Sequence, residues 1–413
     1  MSSLSLLLWI VSGILLQLAI YLGYRFWQHW LDYLALRRTA VPASDEAEAM
    51  APAWQGLRCF QVVQKQVEDA GKSICSFYLA PQDGLALAPF QPGQFLTFRL
   101  ELPTTGGGTS NTIRCYSLSD APEPGRYRIS VKRALAPAGS PHAPGRSSNF
   151  FHDHVEVGSV LKLRAPAGHF YVDRSDAPVV LIGGGIGITP MMSMLTTCLR
   201  ERPQREVWLF YGVRNSREVA WKSELEILAA RHSSFHLQLC WSDPLPEDVL
   251  GRDFQQLGRI DLELLRRQLP LKPFHFYICG PTAMLQSLVP ALEDWGVPDQ
   301  RIHFEAFGPA SVRRKSAAPV LATVPDEAAS LVVTFSRSGQ QLPWQTTAGT
   351  LLELAEAQGI KVDSGCRAGG CGTCQTTILA GEVAYRQTPD FDPEPGTCLL
   401  CVCTPKTSVS LDL

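Results

Sequence analysis

Between residues 55 and 174 apolar and polar positions alternate in short runs, FLTFRLEL (95–102), YRISVKRA (127–134) and VLKLRAP (160–166), separated by Pro and Gly clusters. Period-two patterning with frequent turn signals predicts an antiparallel β-barrel. From Pro178 the pattern changes to continuous apolar runs followed by helical ones. PVVLIGGG precedes TPMMSMLTTCLRER, EVWLFYGV precedes REVAWKSELEILAARH, and FHFYICG precedes PTAMLQSLVPALEDWG. Buried strands alternating with helices predict an α/β domain with a parallel sheet over 175–307. The stretch 308–330, GPASVRRKSAAPVLATVPDEAAS, has little to bury and is read as a linker. Over 331–413, LVVTFSRSGQQLPW predicts a hairpin and TLLELAEAQG a short helix closed by Gly359, as expected of a small α+β domain.

The N-terminus breaks both periods. Leu4 to Tyr24 is 21 residues without a charge, and a helix of that length covers about 31 Å, one bilayer core. Arg25, Arg37 and Arg38 follow and no basic residue precedes, while Trp9, Tyr21, Tyr24, Trp27 and Trp30 lie toward its ends. The expectation is a single-pass membrane anchor over 1–30, a linker over 31–54, and catalytic domains on the cytoplasmic side. The whole is therefore a multidomain chain: transmembrane helix, antiparallel barrel, parallel-sheet α/β domain and α+β domain.

Composition narrows the chemistry. Lys plus Arg number 37 against 39 Asp plus Glu, a net charge of -2, which leaves no electrostatic footprint for nucleic acid. Six of the twelve Cys (Cys366, Cys371, Cys374, Cys398, Cys401, Cys403) crowd the C-terminal domain. That clustering reads as metal ligation in a reducing compartment rather than as a disulfide scaffold. SGCRAGGCGTC places Cys366, Cys371 and Cys374 at C-x4-C-x2-C, the plant-type 2Fe-2S spacing whose fourth thiolate comes from farther on. Gly365, Gly369, Gly370 and Gly372 supply positive-φ freedom and close backbone approach to sulfur. A zinc knuckle would instead use paired C-x2-C units. TCLLCVCTP offers three candidates for the remote ligand; Cys401 is preferred, with Cys403, expected two residues along the same strand face, as the alternative and Cys398 as a small buried residue.

These motifs carry a resemblance. Residues 331–413 resemble the 2Fe-2S ferredoxin domain, β-grasp fold included, and Cys401 falls on its apolar-Cys-Val-x-x-Pro pattern. Arg114, Tyr116 and Ser117 (R-x-Y-S) with Gly145 and Ser148 (G-x-x-S) resemble the flavin-binding barrel of the ferredoxin-NADP reductase superfamily. The resemblance implies that Arg114 binds a flavin phosphate, Tyr116 covers the ring, Ser117 reaches its N5, and a helix beginning near Ser148 receives the pyrophosphate. SNFFHD is similar to the FAD-using, flavohaemoglobin-like branch, so FAD is expected rather than FMN. VVLIGGGIGITP, with Gly183, Gly184, Gly185, Gly187, Thr189 and Pro190, matches the superfamily's G-G-x-G-x-T-P element. YGVRN (Arg214, Asn215), CGPTAM (Cys279, Gly280, Pro281, Met284) and FEAFG (Glu305, Phe307) match its later ones in order. By that resemblance Cys279 lies near the nicotinamide, and Glu305 and Phe307 border the flavin.

The implied activity is an NAD(P)H-dependent oxidoreductase that passes electrons from NADH or NADPH through FAD and one 2Fe-2S cluster to an acceptor protein, with an anchor in the lipid bilayer. A flavin is needed there because hydride brings two electrons and the cluster takes one. The order flavin, nicotinamide, ferredoxin resembles reductase components of oxygenases and reductases of hybrid-cluster proteins, and a membrane oxygenase or desaturase is the preferred acceptor. The alternatives are a quinone-reducing or energy-coupling subunit, whose ferredoxin domain would come first, and a redox sensor, in which a nicotinamide site has little purpose. Arg214, Arg217, Ser242 and Arg252 are possible contacts to a 2′-phosphate, but surface Arg is common, and the balance leans to NADH.

Overall fold

A computed structural model describes residues 54, 56–104, 107–136, 143–307, 331–345, 348–367, 369–386, 389, 391 and 393–413, with isolated helical positions at Trp9, Leu16, Gln17, Tyr21, Gly23 and Trp27. The chain divides into two units, Met1–Ala51 and Pro52–Leu413, and the elements below all belong to the second. Among the described residues no helix is long and apolar enough to cross a membrane. The expected anchor over 1–30 lies almost wholly outside the described residues, as does the linker over 308–330.

Strands β1 (Arg58–Val67), β2 (Ile74–Pro81), β3 (Phe95–Pro103), β4 (Thr109–Ser117), β5 (Tyr127–Lys132) and β6 (Val160–Leu163) make one antiparallel sheet in the order β4-β3-β6-β1-β2-β5. An antiparallel bridge between Leu118 and Ile129 joins its two edges and closes the barrel. The alternation seen in the sequence sends Phe98, Leu100 and Leu102 inward, against Phe77 and Phe151. Phe151 comes from the helix Arg146–His154, which plugs the barrel.

The next domain is a parallel sheet of β7 (Val179–Gly184), β8 (Val207–Val213), β9 (Phe235–Trp241), β10 (Gln256–Leu257), β11 (His275–Gly280) and β12 (Ile302–Ala306). Strand β7 is apolar throughout because both of its faces are covered. Val179 and Leu181 pack with helices Ile188–Glu201 and Lys222–Arg231, whereas Val180 and Ile182 pack with Leu262–Gln268 and Thr282–Asp294. Helix Leu262–Gln268 and strand β9 escape the coarse sequence pattern, being short or broken by polar residues. The order β10-β9-β8-β7-β11-β12 reverses direction between β7 and β11. Parallel sheets open a ligand crevice at that switch point, beyond the carboxyl ends of the strands.

In the last domain β13 (Val332–Phe335), β14 (Gln340–Pro343), β15 (Gln375–Ala380), β17 (Thr397–Leu399) and β19 (Val409–Leu411) form a sheet ordered β14-β13-β19-β15-β17, and β16 (Val383–Tyr385) pairs with β18 (Cys403–Pro405). Helix Leu351–Ala357 is started by a capping box between Thr350 and Glu353 and lays Leu351, Leu352 and Ala355 on the sheet. The expected hairpin and helix are both present. One expectation is corrected: Cys401 and Cys403 do not share a strand face, because Cys401 stands in the turn between β17 and β18.

Candidate functional site

At the switch point, β7 ends in Gly183–Gly184 and the chain turns through Gly185, at φ +55°, and Gly187 into helix Ile188–Glu201. Glycine is required at Gly187 by space rather than by φ: a Cβ there would stand 2.1 Å from the carbonyl oxygen of Cys279. At Gly184 a Cβ would meet Pro281 Cδ at 2.8 Å and Met284 Sδ at 2.9 Å, and at Gly280 it would meet Met284 Cε at 2.4 Å. The turn is thus fitted against the backbone of Cys279 and the side chains of Pro281 and Met284. Thr189 Oγ1 donates to Ile186 O (2.9 Å), bracing the turn, and Pro190 lies in the first helical turn, where no N–H partner is lost. No side chain caps the helix at Gly187; the Ile188 N–H donates back to Gly185 O and Ile186 O, and the positive end of the helix dipole favours an anion there.

Cys279 is fully buried and registers with Gly183 on one side and Glu305 on the other. Glu305 Oε2 is enclosed without a hydrogen-bond partner, although the residue as a whole is half-buried. Burial pushes the Glu305 carboxyl up to about 8. Burial, then the neighbouring Glu305, raises the Cys279 thiol well above the usual range. Both groups are neutral at pH 7. Phe307 follows β12 and is 44% exposed.

The expected nucleotide contacts at the end of β8 have local duties. Arg214 Nε donates to Glu218 Oε1 (2.6 Å), and Glu218 also receives Lys132 (3.4 Å). Asn215 accepts from Arg217 N (3.2 Å), capping a short turn, and donates to Asp243 O (3.3 Å). Arg252 is paired with Asp253.

In the barrel, Arg114 is exposed and donates to Ile113 O (2.7 Å). Tyr116 sits edge-on to Phe151 (5.0 Å) and Phe98 (5.7 Å), and Ser117 is buried. The helix expected near Ser148 starts two residues earlier, with Gly145 at its N-cap and no side-chain cap. Ser148 Oγ donates to Gly145 O (3.2 Å) and accepts from Ala134 N (3.1 Å), so it latches the helix start to the end of β5. A Cβ on Gly145 would stand 2.7 Å from Ala134 Cβ. Ser147, which the motif does not single out, carries a buried hydroxyl without a partner. An uncapped helix N-terminus, an orphaned hydroxyl and an exposed guanidinium suit a flavin nucleotide's phosphates. Ser193 Oγ donates to Asp120 O (2.7 Å), tying the glycine-turn helix to the loop leaving β4.

The cysteine loop curls through Arg367, Gly369 and Gly372 at positive φ, whereas Gly365 and Gly370 are not in that region. Backbone and hydroxyl donors point at sulfur: Gly370 N to Cys366 Sγ (3.2 Å), Cys366 N to Cys371 Sγ (3.3 Å) and Thr373 Oγ1 to Cys371 Sγ (3.1 Å). The thiols fall into pairs. Cys115 of β4, Cys366 and Thr373 hold Cys371 far below the usual cysteine range. Cys374 is lowered by the side chain of Cys401, and Cys401 is raised in turn. Cys403 is raised chiefly by Cys398, its own partner. Among the described residues no group of three such side chains is arranged to hold a single metal ion. A two-iron cluster asks for two thiolates at each iron rather than one cage, and the pairs Cys366–Cys371 and Cys374–Cys401 meet that demand.

Comparison with known proteins gives the same organisation. Residues 181–289 match the oxidoreductase NAD-binding domain and residues 333–406 the 2Fe-2S iron-sulfur cluster binding domain. The flavohemoprotein of Halalkalibacterium halodurans is 39% identical over 273 residues, 66% of this chain and 65% of that protein, and the flavohemoprotein of Rhizobium meliloti is 40% identical over 64% of each. The chain thus spans about two thirds of the length of these curated relatives. The flavohem-like FAD/NAD-binding domain of a nitric oxide dioxygenase from Vibrio cholerae is similar over 61% of this chain and 99% of its own, with 37% identity and TM-score 0.53. Phthalate dioxygenase reductase, described as a modular structure for electron transfer from pyridine nucleotides to [2Fe-2S], is similar over 87% of this chain and 98% of its own, with 27% identity and TM-score 0.51.

Proposed function

We propose that this chain, which belongs to the ferredoxin-NADP reductase superfamily and carries a C-terminal 2Fe-2S domain, takes hydride from NADH or NADPH and delivers electrons through FAD and the cluster to an acceptor protein. When bound, the flavin accepts the hydride and the flavin and cluster release electrons singly. The glycine turn and the uncapped helix Ile188–Glu201 bind the nicotinamide nucleotide's pyrophosphate, and Cys279 and Glu305 floor the ring pocket. Being neutral, these two place no charge beside the transferring hydride and give water little to solvate. Arg114, Gly145, Ser148 and the helix Arg146–His154 orient the flavin phosphates, with Tyr116 and Ser117 at the ring. Cys366, Cys371, Cys374 and Cys401 bind the irons; Cys401 is preferred over Cys403 because its thiol meets Cys374 while Cys403 meets Cys398.

The observation that carries the reading is contact between the two halves of the electron route. The thiols of Cys366 and Cys371 lie against Cys115, immediately before Tyr116 and Ser117 on the flavin strand. Anaerobic titration with NADH and then NADPH, followed in the visible, tests it. Flavin and cluster absorbances should bleach in turn with at least one nucleotide; protein replete in FAD and iron that stays oxidised with both refutes the proposal.

An oxygenase or desaturase is the acceptor class favoured by the likeness to phthalate dioxygenase reductase, and the uncharged segment 4–24 supports attachment to a bilayer with the catalytic domains cytoplasmic. Membrane fractionation of the full chain checks the second point, since a wholly soluble distribution opposes it.

A further inference from the structure

The site residues leave a half-buried thiol of the flavin barrel, Cys115, without a role. Cys115 lies on β4, where Ile113, Cys115 and Ser117 share a face and alternate with Arg114 and Tyr116 on the other. Along that face Ile113 Cγ2 stands 3.2 Å from where a Cβ on Gly365 would be, so the cluster loop is seated on the strand. One step on, the Cys115 thiol is in hydrogen-bonding contact with both Cys366 and Cys371. Behind it, Thr97, which registers opposite Cys115 on β3 and is fully buried, has its Oγ1 3.4 Å from Cys115 Sγ. Another step along the face is Ser117. Alternate residues of a strand lie roughly 7 Å apart, so Cys115 stands between the cluster ligands and the flavin residue. The two domains are clamped again nearby, where Arg164, just after β6, lies over the Phe391 ring at 5.2 Å. Phe391 in turn covers Gly372, at whose Cβ position its ring would stand 2.6 Å away.

We infer that Cys115 is a positioning residue supplied to the iron–sulfur centre by the flavin barrel: it donates its S–H to the ligand sulfurs of Cys366 and Cys371, raising the cluster's reduction potential and fixing the cluster edge toward the flavin. Hydrogen bonds to ligand sulfur withdraw electron density and favour the reduced, more negative cluster. Thr97, donating to Cys115, extends the chain and polarises the thiol. The arrangement couples docking to potential, because the donor belongs to one domain and the acceptors to another. Only when the ferredoxin domain is seated on β4 is the cluster tuned to take electrons from the flavin.

This inference rests on the proposed electron route, and its test separates the two. The full chain with FAD and cluster is titrated with dithionite and mediators while the reduced-cluster signal is followed by electron paramagnetic resonance, which needs no nicotinamide. Cys115→Ala should retain iron, sulfide and FAD and shift the cluster midpoint to lower potential with the flavin midpoint unmoved. Cys115→Ser, which keeps a donor, should recover most of the shift, and Thr97→Val should reproduce a smaller one. An unchanged midpoint in Cys115→Ala overturns the inference, as does loss of iron from that variant, which would make Cys115 a ligand. Wild-type protein that fails to bleach with either nucleotide defeats the electron route instead.

Discussion

Placing a methyl group at Gly187 tests the glycine turn directly. Gly187 has φ −63°, so alanine meets no backbone strain there. The obstacle is steric, with the added Cβ 2.1 Å from Cys279 O, 2.4 Å from Cys279 C and 2.8 Å from Gly280 N. All three are backbone atoms of β11, held between β7 and β12 in the parallel sheet, and no rotamer change can move them aside. Overpacking costs about 1–3 kcal/mol where side chains can yield, so about 3 kcal/mol is expected for Gly187→Ala. At about 3 °C per kcal/mol for a domain of this size, the nucleotide domain should melt roughly 10 °C lower. Gly185→Ala is the control. Its Cβ would meet nothing within 4 Å, and only its φ of +55° opposes the change, a cost of about 1 kcal/mol. Differential scanning calorimetry of both variants, with NADH affinity measured on the flavin-loaded protein, reads the difference. Gly187→Ala should also bind NADH more weakly, because relief of the clash must spread β7 from β11 at the switch point. A Gly187→Ala protein that melts no lower than Gly185→Ala refutes the argument that close backbone approach explains this glycine.

Other outcomes follow from the same geometry. Cys401→Ser should lose iron and acid-labile sulfide, whereas Cys403→Ser and Cys398→Ser should keep them; iron retained by Cys401→Ser and lost by Cys403→Ser would reverse the ligand assignment. Cys371→Ser should abolish reduction of cytochrome c while sparing flavin reduction by NADH, and undiminished cytochrome c reduction would remove the cluster's role as exit port. Because burial raises the Glu305 carboxyl to about 8 from 4.5, the folded chain holds this proton longer than the unfolded one. Its stabilising effect is complete below about pH 4.5 and lost as pH rises toward 8. The denaturation midpoint of flavin-free protein should therefore fall over that window, and less so in Glu305→Gln; parallel pH profiles would contradict the assignment. Arg205, its side chain 1% exposed, donates to Asp173 (2.6 Å) and to Ala177 O (2.8 Å). Arg205→Met should destabilise by about 2 kcal/mol, below the usual figure for a buried pair because Asp173 is partly solvated. Burial raises Asp173 but Arg205 outweighs it, leaving the carboxyl below 3.8. That part of the loss should be present at neutral pH and vanish as the carboxyl protonates in acid, and a pH-independent loss would assign the whole effect to packing.

The strands and helices that position the site were legible where periodicity is strong. FLTFRLEL alternates because one face of β3 lines the barrel, and VVLIGG is apolar throughout because β7 is covered on both faces. The C-x4-C-x2-C spacing was equally plain, since a loop ties its ligands to chain order. Less accessible were features that depend on which segments meet. Nothing in TCLLCVCTP shows that Cys401 leaves the strand and turns toward Cys374 while Cys403 faces Cys398. The contact of Cys115 with the cluster loop joins residues some 250 positions apart, and no local pattern announces it. Ser147 could have been suspected from its place in the first turn of an uncapped helix, but its orphaned state is a tertiary property. Arg214 had the right chemistry for a phosphate, yet an acidic residue four positions on occupies it.

The pairing of Cys374 with Cys401 and of Cys398 with Cys403 has a bearing on how the protein is matured. Before iron arrives, Cys374 already meets Cys401, and two spare thiols, Cys398 of β17 and Cys403 of β18, meet each other. Air can join either pair, and a Cys374–Cys401 bond would bar metal from the loop. Apoprotein purified without reductant should therefore keep its fold and lose its capacity to be loaded, and reducing agent should restore that capacity without any refolding.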